Sequence, residues 1–235
     1  MDSDNLIPPT PTAEDYDREA REQVQAREAF GVADDQGDVL AGDDPFALFA
    51  DWLALARVHE PNDPNAVSLA TVDADGMPDV RVVLLKDLEA EGSGGFTFYS
   101  NDESAKGRQL AANPRAALAF HWKTLRRQVR VRGPVERVAP GTADAYFASR
   151  SRGAQLGAWA SQQSRGMDAP DRLTDRIGDY EAIYEGRDVP RPEFWGGYRV
   201  VPQTIEFWVN RPFRLHDRKL FRREGEGWRT ERLYP

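Results

Sequence analysis

From Asn65 onward the apolar residues of this chain recur at every second position, and short polar breaks separate one such run from the next. A period of two turns one face of each run to a core and the other to solvent, the pattern of a strand in an antiparallel sheet. AVSLATVDADGMPDVRVVLL reads as two strands around a turn at Asp73–Pro78. Further strands are expected at Gly95–Ser100, Ala116–His121, Arg126–Val138, Gly197–Val209, Phe213–Arg222 and Trp228–Leu233. Helices are expected between them at Ser104–Ala112, Thr142–Ser149, Ala154–Ser161 and Asp171–Tyr184. Successive strands joined by short turns favour a mainly β fold, an antiparallel Greek-key barrel with peripheral helices, over a parallel βαβ sheet. No GxGxxG or GxxxxGK[ST] run occurs, so Rossmann and phosphate-loop folds lose their main support.

A helix signal precedes the strands. Asp44 stands as its cap, Pro45 as its first residue, and Phe46, Phe49, Trp52, Leu53 and Ala56 form one apolar stripe. The domain is therefore expected to span 45–235. Residues 1–44 mix Pro, Asp, Gly and Ala and read as a mobile leader with one helix at Glu14–Phe30. The formal net charge of −8 belongs to that leader, which holds 13 acids and three bases and leaves 26 acids and 28 bases for the rest. A nearly neutral body argues against bulk nucleic-acid binding.

The chain has no cysteine, which removes disulfides, thiolate nucleophiles and thiolate-held metals together. Its three histidines, His59, His121 and His216, are far apart, so no metal site is expected. The apolar runs are far below the ~18 residues of a membrane span. MDSDNLIPPTPT lacks the basic and apolar regions of a signal peptide, and a cytoplasmic protein is expected.

Four segments carry cations in patterns that suit anions. In Arg81-Val-Val-Leu-Leu-Lys86 the two cations have opposite parity and face opposite sides of a regular strand; alone, this is also the pattern of solvated strand ends. In Tyr99-Ser-Asn-Asp-Glu-Ser-Ala-Lys-Gly-Arg-Gln109 a strand runs into a helix, whose first turn offers Ser104, Lys106 and free N–H groups to a phosphate. The same features describe an ordinary capped surface helix. Gln128, Arg130 and Arg132 share one strand face, but no aromatic residue interleaves with them for base stacking. Arg214, His216 and Arg218 alternate on one expected strand face, and their mutual repulsion calls for an anionic partner. Trp208, in Ile205-Glu-Phe-Trp208, suits the core or the flank of a planar ligand.

Taken in order, RVVLLK, YSNDESAKGRQ, RRQV, AYFASRSRGAQLGAWASQQS, FWGGYR, IEFW and RLHDR resemble the pyridoxamine/pyridoxine 5′-phosphate oxidase family from about Asp44 to Pro235. The resemblance implies an FMN-binding split β-barrel, a homodimer whose subunits line each site together, and oxidation of the C4′ carbon of pyridoxamine 5′-phosphate or pyridoxine 5′-phosphate by dioxygen. Pyridoxal 5′-phosphate and hydrogen peroxide would form, with ammonia from the amine. By motif, Arg81, Val82, Leu84, Lys86, Tyr99, Ser100, Lys106, Gln128, Gln163, Ser164, Trp208 and Arg218 would contact the flavin, Gln163 and Ser164 coming from the partner subunit. Lys86, Tyr146 and Arg150 would hold the substrate phosphate, and Arg214 and His216 would lie over the pyridine ring as the catalytic pair.

The chain departs from the family pattern in places. Ala105 stands where many members have an arginine for the flavin phosphate, and Ala154 where many have a serine for the substrate phosphate. In the leader, Arg27-Glu-Ala-Phe30 replaces an Arg-x-x-Tyr substrate lid and lacks the hydroxyl. Two rival readings share much of the pattern. One is a related flavin oxidase acting on a phenazine precursor, which would leave Lys86, Tyr146 and Arg150 unexplained; the other is a noncatalytic split barrel that holds flavin or pyridoxal phosphate.

Overall fold

The alternating segments form ten strands of one curled antiparallel sheet in the computed structural model, which describes residues 11–29 and 38–235. In chain order the elements are α1 (Ala13–Ala29), α2 (Pro45–His59), β1 (Ala66–Val72), β2 (Pro78–Leu84), β3 (Asp87–Glu89), β4 (Gly95–Asn101), α3 (Ala105–Ala112), β5 (Arg115–Trp122) and β6 (Arg127–Arg137). Then follow α4 (Pro140–Ala148), α5 (Arg152–Ala160), α6 (Arg172–Ile183), β7 (Trp195–Val200), β8 (Thr204–Val209), β9 (Asp217–Glu224) and β10 (Gly227–Leu233). The sheet runs β10-β9-β8-β6-β5-β1-β2, and a branch β3-β4-β7 joins it at β6. β5 returns beside β1 after the β3–β4 excursion, a Greek-key connection.

β6 is the strand on which both halves hang. Its first part pairs with β8 from Arg127↔Val209 to Arg132↔Thr204, and its last part with β7 from Val135↔Val200 to Arg137↔Tyr198. The change of partner falls at Gly133-Pro134. Backbone bonds from Val201 N to Pro134 O (2.9 Å) and from Gln203 N to Arg132 O (2.8 Å) carry the pairing across it. A Cβ on Gly133 would lie 1.8 Å from the carbonyl oxygen of Val201, so only glycine admits this approach.

The core lies inside the curl and is largely aromatic. Phe49 of α2 meets Phe96 of β4 at 5.0 Å and Phe120 of β5 at 4.9 Å, both edge-on. The Asp44 carboxylate accepts from Phe46 N (2.8 Å) and Ala47 N (3.3 Å), so α2 starts where its cap signal places it and lays Phe46, Phe49, Trp52 and Ala56 into the barrel. The core reaches back past Asp44: Leu40 is fully buried, and Lys219 of β9 donates to the carbonyls of Leu40 and Gly42. A second, smaller cluster of Phe147, Leu156, Val189 and Trp195 packs the helical flank α4–α6 against β4 and β7.

Two expected strands are corrected. Gly197–Val209 is not one strand but two, β7 and β8, because Pro202 lacks the N–H of a ladder and the chain there changes from pairing with β4 to pairing with β9. Phe213–Arg222 does not begin as a strand either. Pro212–Arg214 is a single 3-10 turn with left-handed φ at Phe213 (59°) and Arg214 (60°), and β9 starts at Asp217. Arg214 therefore does not share a strand face with His216 and Arg218.

Gly133→Ala should destabilise the fold by about 3 kcal/mol, because a methyl group cannot be placed beside the Val201 carbonyl without moving backbone. Gly141→Ala is the control. It lies within α4 with nothing within 4 Å of its Cβ direction and should gain about 0.5 kcal/mol. Urea unfolding midpoints of the two variants check the difference.

Candidate functional site

Where β4 runs out of the barrel and meets the helical flank, the structure opens a cavity of about 550 Å³. β2 contributes Val82 and Leu84 to its wall, the following loop Lys86, β4 Tyr99 and Ser100, and α3 Lys106. Tyr146, Arg150 and Ala154 enter from α4 and α5, Gln163 from the loop after α5, and Trp195 from β7. One of the two β2-segment cations arrives. Lys86, just past the end of β2, lines the cavity, whereas Arg81 bonds to Leu69 O (3.2 Å), Gln109 Oε1 (2.9 Å), Thr71 and Asp79 instead.

α3 supplies one buried cation. Ser104 caps the helix, its hydroxyl accepting from Gly107 N at 3.2 Å. A Cβ on Gly107 would lie 2.1 Å from Asp102 O, so the helix start is pressed against the end of β4. This places Lys106 Nζ within reach of Ser100 Oγ (3.0 Å), Ser104 Oγ (3.2 Å) and Gln163 Oε1 (2.9 Å), all neutral acceptors. Burial, with the charge of nearby Arg81 adding to it, pulls the Lys106 ammonium down from 10.5 to about 8. A buried ammonium ringed by hydroxyls and an amide is a site for an anion.

A second, half-buried cation sits in an aromatic wall. Tyr99 and Tyr146 stack at 4.0 Å and 17°, and Trp195 continues the stack at 5.4 Å from Tyr99. Arg150 lies over the Trp195 ring at 4.9 Å, and its Nη1 is buried with no hydrogen-bond partner. Burial lowers its affinity for the proton, which the neighbouring Tyr146 oxygen partly offsets. An unpartnered buried guanidinium N–H is costly unless a ligand satisfies it.

The remaining sequence-predicted residues gather elsewhere on the chain. Gln128 of β6 pairs in register with Trp208 of β8, and Trp208 with Arg218 of β9, so the three form one row across the sheet. His216 lies over Trp208 at 4.5 Å and accepts at Nδ1 from Arg211 N (3.2 Å). Arg218 is held by Glu206 at 2.7 Å, a carboxylate that Arg130 shares at 3.5 Å. Arg214 is exposed and donates from Nε to the Tyr16 hydroxyl of α1 at 3.3 Å. None of these five residues lines the cavity within one chain.

The resemblance assigns Gln163 to the partner subunit, whereas in this chain it bonds Lys106 of its own; the loop after α5 is short enough to reach the α3 start directly. Ser164, with φ 67°, turns away and lines a neighbouring cavity of about 510 Å³. Ala105 is the first residue of α3, and Ala154 lines the main cavity without a hydroxyl. Phe30 and the Arg27 side chain lie outside the described residues. The residue that sequence reasoning missed is Trp195, which was visible within FWGGYR but had no partner to give it a role until β7 was set beside β4. Among the described residues no group of metal-ligating side chains occurs, and no helix is long and apolar enough to cross a membrane.

A curled antiparallel half-barrel with peripheral helices, its cations and aromatic wall gathered at the helical flank, defines a protein of the split-barrel class. A family model described as pyridoxamine 5′-phosphate oxidase matches residues 56–183, and one described as the pyridoxine 5′-phosphate oxidase C-terminal dimerisation region matches residues 195–235. A pyridoxine/pyridoxamine 5′-phosphate oxidase of Caulobacter vibrioides is 53% identical over 232 residues, which cover 98% of this chain and 97% of the relative. One of Azorhizobium caulinodans is 58% identical over 201 residues, 85% of this chain and 93% of the relative. The crystal structure of PhzG from Burkholderia lata, in complex with tetrahydrophenazine-1-carboxylic acid, superposes with a TM-score of 0.77 at 29% identity and covers 83% of this chain and 95% of its own. The chain belongs to the pyridoxamine 5′-phosphate oxidase family, a family of oxidoreductases.

The buried Lys106 gives a pH test on the ligand-free protein. Its folded value of about 8 lies below the ordinary 10.5, so the unfolded chain binds the extra proton and native stability rises with pH between the two. Lys106→Met should therefore exceed the wild type most near pH 7, and its advantage should shrink by about 3 kcal/mol by pH 10.5. Paired denaturant titrations across that range read it; a constant difference would contradict the buried charge.

Proposed function

We propose that this chain oxidises pyridoxine 5′-phosphate and pyridoxamine 5′-phosphate to pyridoxal 5′-phosphate, with FMN as its flavin and dioxygen as the final electron acceptor. The observation that carries the reading is the Arg150 guanidinium, which lines the same cavity as Lys86, Lys106 and Tyr146 and has no carboxylate partner among the described residues. These groups lack the anions they need, and a phosphorylated flavin with a phosphorylated substrate supplies one to each set. Relatives at 53% and 58% identity that carry the oxidase name support the same substrates. The 29% identity to the phenazine-bound neighbour ranks that alternative lower.

In this reading Lys106, Ser100 and Ser104 hold the flavin phosphate, and Lys86, Tyr146 and Arg150 hold the substrate phosphate. FMN, when bound, would supply the redox chemistry: a two-electron oxidation at C4′, with dioxygen taking up the electron pair and two protons to give hydrogen peroxide. The alcohol also gives up its hydroxyl proton and becomes the aldehyde; the amine becomes an imine that takes up water and releases ammonia. The protein's part is to orient two rings and neutralise two phosphates. Arg214 and His216 stand outside the cavity of their own chain, which suits a homodimer in which they cover the partner's site. The match of residues 195–235 to a dimerisation region supports that assembly, as does the exposure of Val80 and Val82 along β2.

Anaerobic addition of pyridoxine 5′-phosphate to the yellow holoprotein should bleach the flavin, and air should restore the colour. Absence of bleaching with both phosphorylated substrates would sink the proposal. Arg150→Ala should raise KM about thirtyfold, the cost of losing charge-assisted bonds to a phosphate. Arg214→Ala should lower kcat by about a hundredfold while flavin content stays at the wild-type level, as expected for a group that acts on the substrate ring.

A further inference from the structure

We propose that Trp195 is the positioning residue for phosphate recognition: its indole face holds the Arg150 guanidinium, and its edge of the aromatic stack holds Tyr146, so that both point their polar groups into the cavity. This rests on the reading of the cavity as a phosphate-ester site. Trp195 is nearly buried and lies almost parallel to Tyr99 (11°) and Tyr146 (7°), with Phe147 packed edge-on against it at 5.1 Å. Its backbone is fixed twice. Pro192 O accepts from Trp195 N at 3.1 Å, and Arg191 donates to Trp195 O at 2.6 Å while its Nε bonds Asp144 of α4 at 2.7 Å. The backbone of Trp195 is therefore tied both to the turn before β7 and, through Arg191, to the helix that carries Tyr146.

Arg150 has no carboxylate partner among the ion pairs of the described residues. A carboxylate there would neutralise the guanidinium and compete with the incoming phosphate. The Trp195 face, with Phe147 at 5.6 Å beyond it, attracts the cation without accepting a hydrogen bond from it, and so leaves the guanidinium uncommitted where it lines the cavity. The expected signature is an effect on substrates that carry a phosphate and on no others.

The test compares KM and kcat of Trp195→Phe and Trp195→Leu for pyridoxine 5′-phosphate and for unphosphorylated pyridoxine, using holoprotein of matched flavin content. Trp195→Leu should raise KM for the phosphate ester about tenfold and Trp195→Phe about threefold, with kcat within about twofold and pyridoxine KM unchanged. In an Arg150→Lys background Trp195→Phe should add nothing further. Equal KM shifts for both substrates, additivity with Arg150→Lys, or no KM shift would each overturn the proposal. Should Trp195→Leu fail to fold, Trp195→Phe and its cycle with Arg150→Lys decide the question alone. A wild type that does not prefer the phosphate ester would instead refute the underlying reading of the cavity, an outcome separate from the behaviour of the variants.

Discussion

β6 can serve β8 and β7 in turn only because Gly133 lets the Val201 carbonyl oxygen come within 1.8 Å of the place a Cβ would occupy. That contact lets the sheet fork while the backbone bonds continue on both sides of the fork. β7 then lies beside β4 from Phe96↔Val200 to Asn101↔Trp195, and the register brings Trp195 next to the end of the strand that carries Tyr99 and Ser100. At its start, before the fork, β6 sets Gln128 beside Trp208. Both groups of expected ligand contacts thus take their place from one strand, and a register slip of one residue on β6 would turn both sets to the wrong face.

The cavity is held in an electrostatically unfavourable state by a favourable fold. Lys106 is nearly buried among neutral acceptors, and Arg150 has a buried N–H without a partner. Each costs free energy that the aromatic core offsets, since Phe49, Phe96, Phe120 and Phe207 are among the fully buried side chains. A protein that stores unsatisfied positive charge in this way gains affinity when an anion arrives, because the desolvation has already occurred. In the proposed function, recognition of phosphates is a property of these cations together rather than of any one contact.

Much of this was readable from residue order. The α2 stripe, the turn at Asp73–Pro78 and the helix that follows β4 all follow from local periodicity and side-chain chemistry, and the structure has each of them. What was not readable depends on distant partners or on backbone states the side chains do not announce. Phe213 and Arg214 adopt left-handed φ, which neither residue type favours, so an alternating reading of the segment was the natural one. The split between β7 and β8 needed the fork in β6 to be known, although Pro202 marked its position. Gln163 reaches Lys106 across 57 residues of chain, a closeness that no spacing rule contains.

The two hydrophobic clusters divide the labour of the chain, and β4 belongs to both. Phe96 and Phe98 of β4 turn into the barrel core, while Tyr99 packs against the second cluster with Tyr146 and Trp195. Nearly every residue of β4 is buried, so it cannot shift without disturbing one cluster or the other. That makes β4 a rigid wall, and the cations of the cavity are mounted either directly beyond it, as Lys106 is, or against it, as Arg150 is through the aromatic stack. Substitutions such as those at Ala105 and Ala154 fall on the helices facing this wall, not on the wall itself. Contacts there can be lost one at a time while the geometry of the wall itself stays in place.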